Sequence, residues 1–116
     1  MNGLSPKTMN PELVETLTGW RRHLHANPAP TLDEGPTATY VAARLRELGV
    51  TEIAEGIGGH GLVATLRRGG GNRSVGLRAD MDALPMQEMT DLPYASTVPN
   101  KMHACGHDGH TTMLLG

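Results

Sequence analysis

The chain has 116 residues, a formal net charge of −2, and an apolar share of 38% with no Phe. That length suits one domain or a piece of one, with a core built from aliphatic side chains. The small net charge provides no electrostatic footprint for nucleic acid or an anionic membrane surface. A single cysteine excludes an internal disulfide, and no apolar run is long enough for a signal peptide or a membrane span. We therefore expect a cytoplasmic protein in a reducing compartment.

The first predicted helix starts at Asn10-Pro11-Glu12, after a loose lead-in over residues 1–9. Asparagine is a good N-cap, proline suits the first helical position, and an acid suits the first turn. Asn27-Pro28 ends the helix, because the residue before a proline avoids the helical conformation. Helical spacing predicts one apolar face, formed by Leu13, Leu17, Trp20 and Leu24.

A second helix is predicted to begin near Pro36 and to end at Gly49, where a left-handed C-terminal glycine belongs. Its apolar face carries Val41, Leu45 and Leu48. A glycine-rich turn is expected over residues 56–61. Short strands are expected on either side of it and again further along, over residues 50–54, 62–66 and 74–78. The last two are close enough in sequence to form a hairpin.

The second half of the chain has less regular structure. Residues 85–101 contain three prolines and predict a long irregular loop, which is often functional. A further helix is expected to start near His107 or Asp108. The order of elements indicates an α/β layer, in which sites usually lie at the loop ends of regular elements.

One stretch concentrates the ligand-type residues, from Met102 to His110. It contains three of the six histidines and the only cysteine. Cys105 and His107 lie two positions apart with Gly106 between them, so a single ion could bind both at ~2.0–2.3 Å. The alternative is an inert buried cysteine beside surface histidines. With Asp108 and His110 in the same stretch, the pattern favours a metal site.

Two acidic residues, Asp80 and Asp82, follow the predicted strand at 74–78. They could hold a cation or orient an imidazole, or they could form an Asx-turn pair that caps the loop. Spacing alone does not separate these interpretations. The histidines in residues 21–25 are better explained as a polar helix face than as ligands. The glycines of residues 58–61 precede a strand rather than a helix, which argues against a nucleotide site.

Several motifs resemble the metal-dependent amidohydrolases that include hippurate hydrolases, N-acyl-amino-acid deacetylases and auxin-conjugate hydrolases, within the aminoacylase and carboxypeptidase group of zinc exopeptidases. The resemblance covers residues from about 13 to the end. The matching pieces are Arg21-Arg22-His23-Leu24-His25 with Pro28, Glu34, Gly61-Leu62-Val63-Ala64-Thr65-Leu66, Leu77-Arg78-Ala79-Asp80-Met81-Asp82-Ala83-Leu84-Pro85, and Met102-His103-Ala104-Cys105-Gly106-His107-Asp108-Gly109-His110-Thr111.

The resemblance implies a role for each matching site residue. It makes Cys105 and His107 metal ligands and gives Asp82 the role of orienting the metal site, as the catalytic aspartate. Asp80, Asp108 and His110 would support the ligands without binding metal. A complete site of this kind takes two divalent ions, of Mn, Zn, Co or Ni.

The resemblance also implies that residues 1–116 are the N-terminal portion of a three-layer α/β/α catalytic domain. The family's Glu-Glu pair, which supplies the general base and a further ligand, is absent, and the last glutamate here is Glu88. The second, dimerisation-type domain is also absent. Asn100 or Lys101 stands where the family usually has Gly.

The implied reaction is hydrolysis of the amide bond of an N-acyl amino acid by a metal-bound hydroxide, with the metals stabilising the oxyanion. The partner is thus a small-molecule N-acyl amino acid, with no nucleic acid and no membrane, and whether the full-length parent is a homo-oligomer stays open. The isolated chain is expected to be inactive. Two alternatives are a small non-catalytic metal-binding or metal-sensing protein and a thiol redox protein. The lack of a second, resolving cysteine disfavours the redox alternative.

Overall fold

The computed structural model describes residues 9–116, so nearly all of the expected lead-in lies outside the described residues. Within this range the elements follow the order α1 (Pro11–Ala26), α2 (Gly35–Glu47), β1 (Glu52–Ile57), β2 (Gly61–Thr65) and α3 (His107–Leu115). α1 packs against α3, and α2 packs against β2. Among these helices none has the length and apolar character needed to cross a bilayer.

Helix α1 begins and ends where the sequence predicts. The Asn10 side chain accepts a hydrogen bond from the Glu12 backbone N–H at 2.9 Å, with Pro11 in the first turn. The predicted apolar face is only partly correct, because Leu24 is buried whereas Leu13 is exposed. Its C-terminal half carries the buried residues of the helix, Leu24 and His25, and this is the half that matters for the site.

Helix α2 ends in a Schellman motif that confirms the predicted role of Gly49. The Val50 N–H donates to the Leu45 carbonyl and the Gly49 N–H donates to the Arg46 carbonyl, while Gly49 has a φ of 87°. Val41 is buried as expected, but Leu48 at the end of the same face is exposed. The ring of Tyr40 stacks on His23 of α1 with centroids 3.9 Å apart, which ties the two helices together.

The strand prediction needs two corrections. The first strand covers Glu52–Ile57 rather than residues 50–54, and it pairs antiparallel with β2 through the short glycine-rich turn. The predicted hairpin between residues 62–66 and 74–78 is therefore wrong. β2 pairs with β1 across the shorter connection instead, and residues 74–78 form no strand with any described residue. Val75 and Leu77 are consequently 87% and 75% exposed.

Residues 85–101 contain no helix or strand, as predicted, yet they are held at both ends. Leu84 and Met102 form an antiparallel bridge, and Ala83 forms a parallel bridge with Pro30. These bridges bring the acidic stretch and the histidine-rich stretch side by side. The core consists of small and aliphatic residues, namely Leu24, Ala29, Ala38, Val41, Ala42 and Ala83.

Candidate metal centre

The side chain of His107 is held by the acidic stretch. His107 is the first residue of α3 and follows Gly106, whose φ of 89° provides the left-handed turn into the helix. Its Nδ1 lies 2.9 Å from Asp82 Oδ1 and 3.0 Å from the Asp82 carbonyl oxygen. When Nδ1 donates to these acceptors, Nε2 keeps its lone pair. Metal-binding histidines commonly have their second nitrogen fixed in this way.

Asp82 is itself fixed from the other side. The Thr31 hydroxyl donates to Asp82 Oδ2 at 2.6 Å, across a separation of 51 residues. This hydrogen bond is the main reason that the pKa of Asp82 is lowered, with burial opposing it and a backbone hydrogen bond and His107 adding to it. An ionised Asp82 is the form that accepts the proton of His107 Nδ1. The two carboxylate oxygens of Asp82 therefore have different partners: Oδ2 accepts from Thr31 and Oδ1 contacts His107.

The other predicted site residues are placed differently. Cys105 is a free, exposed thiol, two positions before His107. The His110 ring lies 5.9 Å from the His107 ring, in a tilted arrangement on the same helix. The Asp80 carboxylate pairs with Arg78 at 2.6 Å on the exposed surface, and its carbonyl oxygen accepts a hydrogen bond from Thr111. The roles assigned to these three residues remain predictions.

Asp108 is buried and its carboxylate points toward α1. Its Oδ2 lies 2.8 Å from His25 Nδ1 and 3.1 Å from Arg21 Nε, and the residue is only 3% exposed. Burial alone would raise the pKa of Asp108. The hydrogen bonds from His25 and the Gly109 backbone, together with the positive charges nearby, outweigh burial and lower it. Asp108 thus anchors the first turn of α3 to α1.

Sequence analysis assigned no role to His25 or Glu88. His25 Nε2 lies 2.9 Å from Glu88 Oε1 without the alignment of a hydrogen bond, and Nδ1 faces Asp108, so this buried ring contacts two carboxylates. The available signal was the spacing, since Arg21 and His25 lie four residues apart on one helix face. That face also carries Leu24, and it was interpreted as polar surface. Nothing in the sequence indicates that Glu88 contacts His25.

His103 is a further buried histidine of the motif. It is 4% exposed, and neither ring nitrogen has a hydrogen-bond partner within the described part of the chain. Burial lowers its pKa, with Asp108 opposing and with His25 and His107 adding to the decrease. The neutral ring that results is the form in which imidazole binds a metal.

The types of donor side chain fit a divalent transition metal, but too few of them lie together among the described residues to complete a site. Thiolate and neutral imidazole nitrogens suit zinc and its neighbours, and His107 is oriented as such a ligand. Across residues 9–116, however, no group of three or more His, Cys, Asp or Glu side chains is placed to hold one ion. An oriented histidine, a nearby exposed thiol and a supporting aspartate are together typical of part of a metal-dependent hydrolase site.

Comparison with known proteins supports this class. Residues 76–116 match the family described as Peptidase family M20/M25/M40. The hippurate hydrolase of Campylobacter jejuni is 55% identical over 95 residues, which are 82% of this chain and 24% of that protein. The N-acyl-L-amino acid amidohydrolase of Geobacillus stearothermophilus is 43% identical over 110 residues, which are 95% of this chain and 30% of that protein. These residues are therefore similar to the corresponding part of peptidase family M20/M25/M40.

A solved structure agrees with the fold expectation. The YXEP protein of Bacillus subtilis, described as a dinuclear metal-binding peptidase of the M20 family, superimposes with a TM-score of 0.86 at 35% identity. The match covers 92% of this chain and 30% of that one. The predicted fold, an incomplete α/β domain of the zinc-exopeptidase type, is confirmed by this similarity. The chain spans between 24% and 30% of the length of the relatives described here.

Proposed function

We propose that these residues are part of a metal-dependent amidohydrolase that cleaves the amide bond of N-acyl amino acids. The observation that carries the proposal is the contact of His107 Nδ1 with Asp82, which leaves Nε2 available to a metal. A hippurate hydrolase and an N-acyl-L-amino acid amidohydrolase among the relatives support the substrate class. Hippurate-like and N-acetyl amino acids are accordingly the first substrates to test.

Cys105 and His107 would hold a divalent ion of Mn, Zn, Co or Ni. When bound, such an ion polarises an amide carbonyl and activates water. Asp82 keeps a proton on His107 Nδ1, and Thr31 keeps Asp82 in the orientation that this requires. The Arg21 and His25 contacts hold Asp108, which continues the helix from His107.

The 116 residues do not supply every group that the reaction needs. They contain no Glu-Glu pair, which is the source of the general base that the resemblance implies. The activity is therefore proposed for a full-length protein that includes this sequence as part of its catalytic domain. The same 116 residues alone should release no product from either substrate.

The test is hydrolysis of hippurate and of N-acetyl amino acids by the full-length protein, measured as released amino acid with Mn²⁺, Zn²⁺, Co²⁺ or Ni²⁺ supplied separately. His107→Gln should abolish hydrolysis. His60→Gln is the matched control, because His60 is exposed in the turn of the hairpin, outside the histidine-rich stretch from Met102 to His110. Equal rates for the two variants would overturn the proposal.

A further inference from the structure

Three buried side chains contact one another in series and connect distant parts of the chain. We call this set of contacts the relay, and the name implies no proton transfer. Glu88, from the long loop, contacts His25 of α1, and His25 contacts Asp108 of α3. Their side chains are 2%, 5% and 3% exposed, respectively. Each ring nitrogen of His25 faces one carboxylate, Nδ1 toward Asp108 at 2.8 Å and Nε2 toward Glu88 at 2.9 Å.

The loop end of this relay is firmly attached. Glu88 accepts hydrogen bonds from the Thr90 hydroxyl and, at 2.9 Å, from the Ser96 backbone N–H. Thr97 donates from both its backbone N–H and its hydroxyl to the Ala26 carbonyl at the end of α1. The Tyr94 ring meets His25 edge-on, with centroids 5.7 Å apart. The loop therefore packs on the C-terminal half of α1.

The other end of the relay reaches the proposed metal ligand. Asp108 directly follows His107 in the first turn of α3, so a shift of its carboxylate rotates the turn that carries the His107 ring. Resting on the proposed function, we infer that Glu88 and His25 are positioning residues, which through Asp108 hold His107 against Asp82. Neither residue touches the proposed metal.

Stability alone is a weak explanation for such a relay. Removing ions from water costs about as much as their mutual attraction returns, and apolar residues of similar size often stabilise more. The two acids do fix the orientation of the His25 ring, because Nδ1 faces Asp108 and Nε2 faces Glu88. We therefore assign the relay to orientation of the α3 start.

Two variants and one control separate orientation from general stability. Glu88→Gln keeps the shape and removes the charge that faces His25. Glu55→Gln makes the same change in an exposed pair with Arg46, where little effect on stability is expected. Thr90→Val is a milder change that removes one hydrogen bond to Glu88 and leaves the relay charges intact.

The first readout is hydrogen–deuterium exchange by mass spectrometry on the metal-free full-length protein. Glu88→Gln should accelerate exchange in residues 102–112 while α2 and the hairpin exchange as in Glu55→Gln. Thr90→Val should produce the same local pattern to a smaller extent, which keeps the test informative if Glu88→Gln does not fold. Unchanged exchange in residues 102–112, or equal acceleration in every element, would overturn the inference.

The second readout is a Co²⁺ titration of the full-length protein, followed by the thiolate charge-transfer band of Cys105. Glu88→Gln should weaken Co²⁺ binding about tenfold, at the low end of the effect of residues that support a ligand from behind. Glu55→Gln should bind as the unmodified chain does, and equal binding by all three proteins would contradict the inference. If the unmodified full-length protein gives no thiolate band, the proposed function fails, while the exchange measurement still decides whether the relay holds α3.

Discussion

Thr31 and Asp82 lie 51 residues apart, and the Thr31 hydroxyl donates to Asp82 Oδ2 at 2.6 Å. This hydrogen bond is the largest cause of the lowered pKa of Asp82. Asp82 Oδ1 contacts the His107 ring. Thr31, in the connection between α1 and α2, therefore affects the orientation of a proposed ligand through Asp82.

Replacing Thr31 with valine should therefore raise the pKa of Asp82 toward its ordinary value. The change is close to isosteric and removes one hydrogen bond, worth about 0.5–1.5 kcal/mol. The carboxyl pKa can be followed by carbon NMR of the Asp82 side chain. Thr39→Val is the control, because the Thr39 hydroxyl bonds only to the Gly35 carbonyl of its own helix. A pKa of Asp82 that stays as low in Thr31→Val as in Thr39→Val would contradict the assignment.

Cys105→Ala in the full-length protein should abolish or strongly reduce hydrolysis and lower the metal content. The thiol is exposed, so the same change should alter the free energy of unfolding by no more than about 0.5 kcal/mol. Metal analysis and thermal unfolding of the same sample distinguish a ligand from a packing residue. A variant with full metal occupancy and full rate would show that Cys105 is not a ligand.

The isolated 116-residue chain should bind Zn²⁺, Mn²⁺, Co²⁺ or Ni²⁺ only weakly. Two proposed ligands are fewer than the four of a closed zinc site, and no larger donor group is formed by residues 9–116. Isothermal titration calorimetry at neutral pH is the direct measurement. A tight complex of one zinc per chain would instead favour the metal-sensing alternative.

Exposed apolar surface should make the isolated chain marginally stable and prone to self-association. Val75 and Leu77 belong to a broad cleft of about 1250 Å³ between the helices and the hairpin, and both are largely exposed. Large exposed apolar patches and unpaired strand edges promote association. A sharp, reversible unfolding transition of a monomer above ~60 °C would contradict this prediction.

Replacing Val75 and Leu77 together with threonine should reduce light scattering during heating, if that cleft is the associating surface. Met89→Thr serves as the control, because Met89 is 87% exposed but lies outside the residues that line the cleft. Equal scattering by the double variant and the control would place the associating surface elsewhere.

Acid should destabilise the chain in two stages. The pKa of His103 is lowered by burial, so its contribution to stability is complete above about pH 6.5 and declines as the pH falls below that value. The pKa values of Glu88 and Asp108 are also lowered, because their hydrogen bonds outweigh burial. Their contribution is complete above about pH 4.5 and is lost as the pH falls through the lower folded-state values.

Urea unfolding between pH 8 and pH 3 checks this order. His103→Gln should remove the loss of unfolding free energy in the first stage and leave the loss in the second stage unchanged. Glu88→Gln should reduce the loss in the second stage. A free energy of unfolding that is constant from pH 8 to pH 5 in the unmodified chain would contradict the first stage.

The ends of the first two helices were predictable because their signals are local. Asn10 and Pro11 fix the start of α1, and Gly49 fixes the end of α2, whatever the rest of the chain does. The family resemblance was likewise carried by continuous motifs, and the comparisons confirm it. The predicted role of Cys105 depends on the same motif and remains to be tested.

The relay was not predictable, because its members are far apart and each alone has an ordinary explanation. A histidine on a helix and a glutamate in a proline-rich loop are usually solvated, and only the fold places His25 between Glu88 and Asp108. The wrong hairpin has a related cause. Strand propensity identified residues 74–78 as extended but contains no information about which segment would pair with them.

The contact between His25 and Asp108 spans 83 positions of the chain and has a consequence for folding. Bringing such distant residues together costs loop-closure entropy before any contact offsets it, and folds dominated by distant contacts form slowly. On the ribosome, α1 emerges first but finds the partner of its buried histidine only after all of those intervening residues have been synthesised. Until then His25 remains in water, and its helix must rely on its own caps.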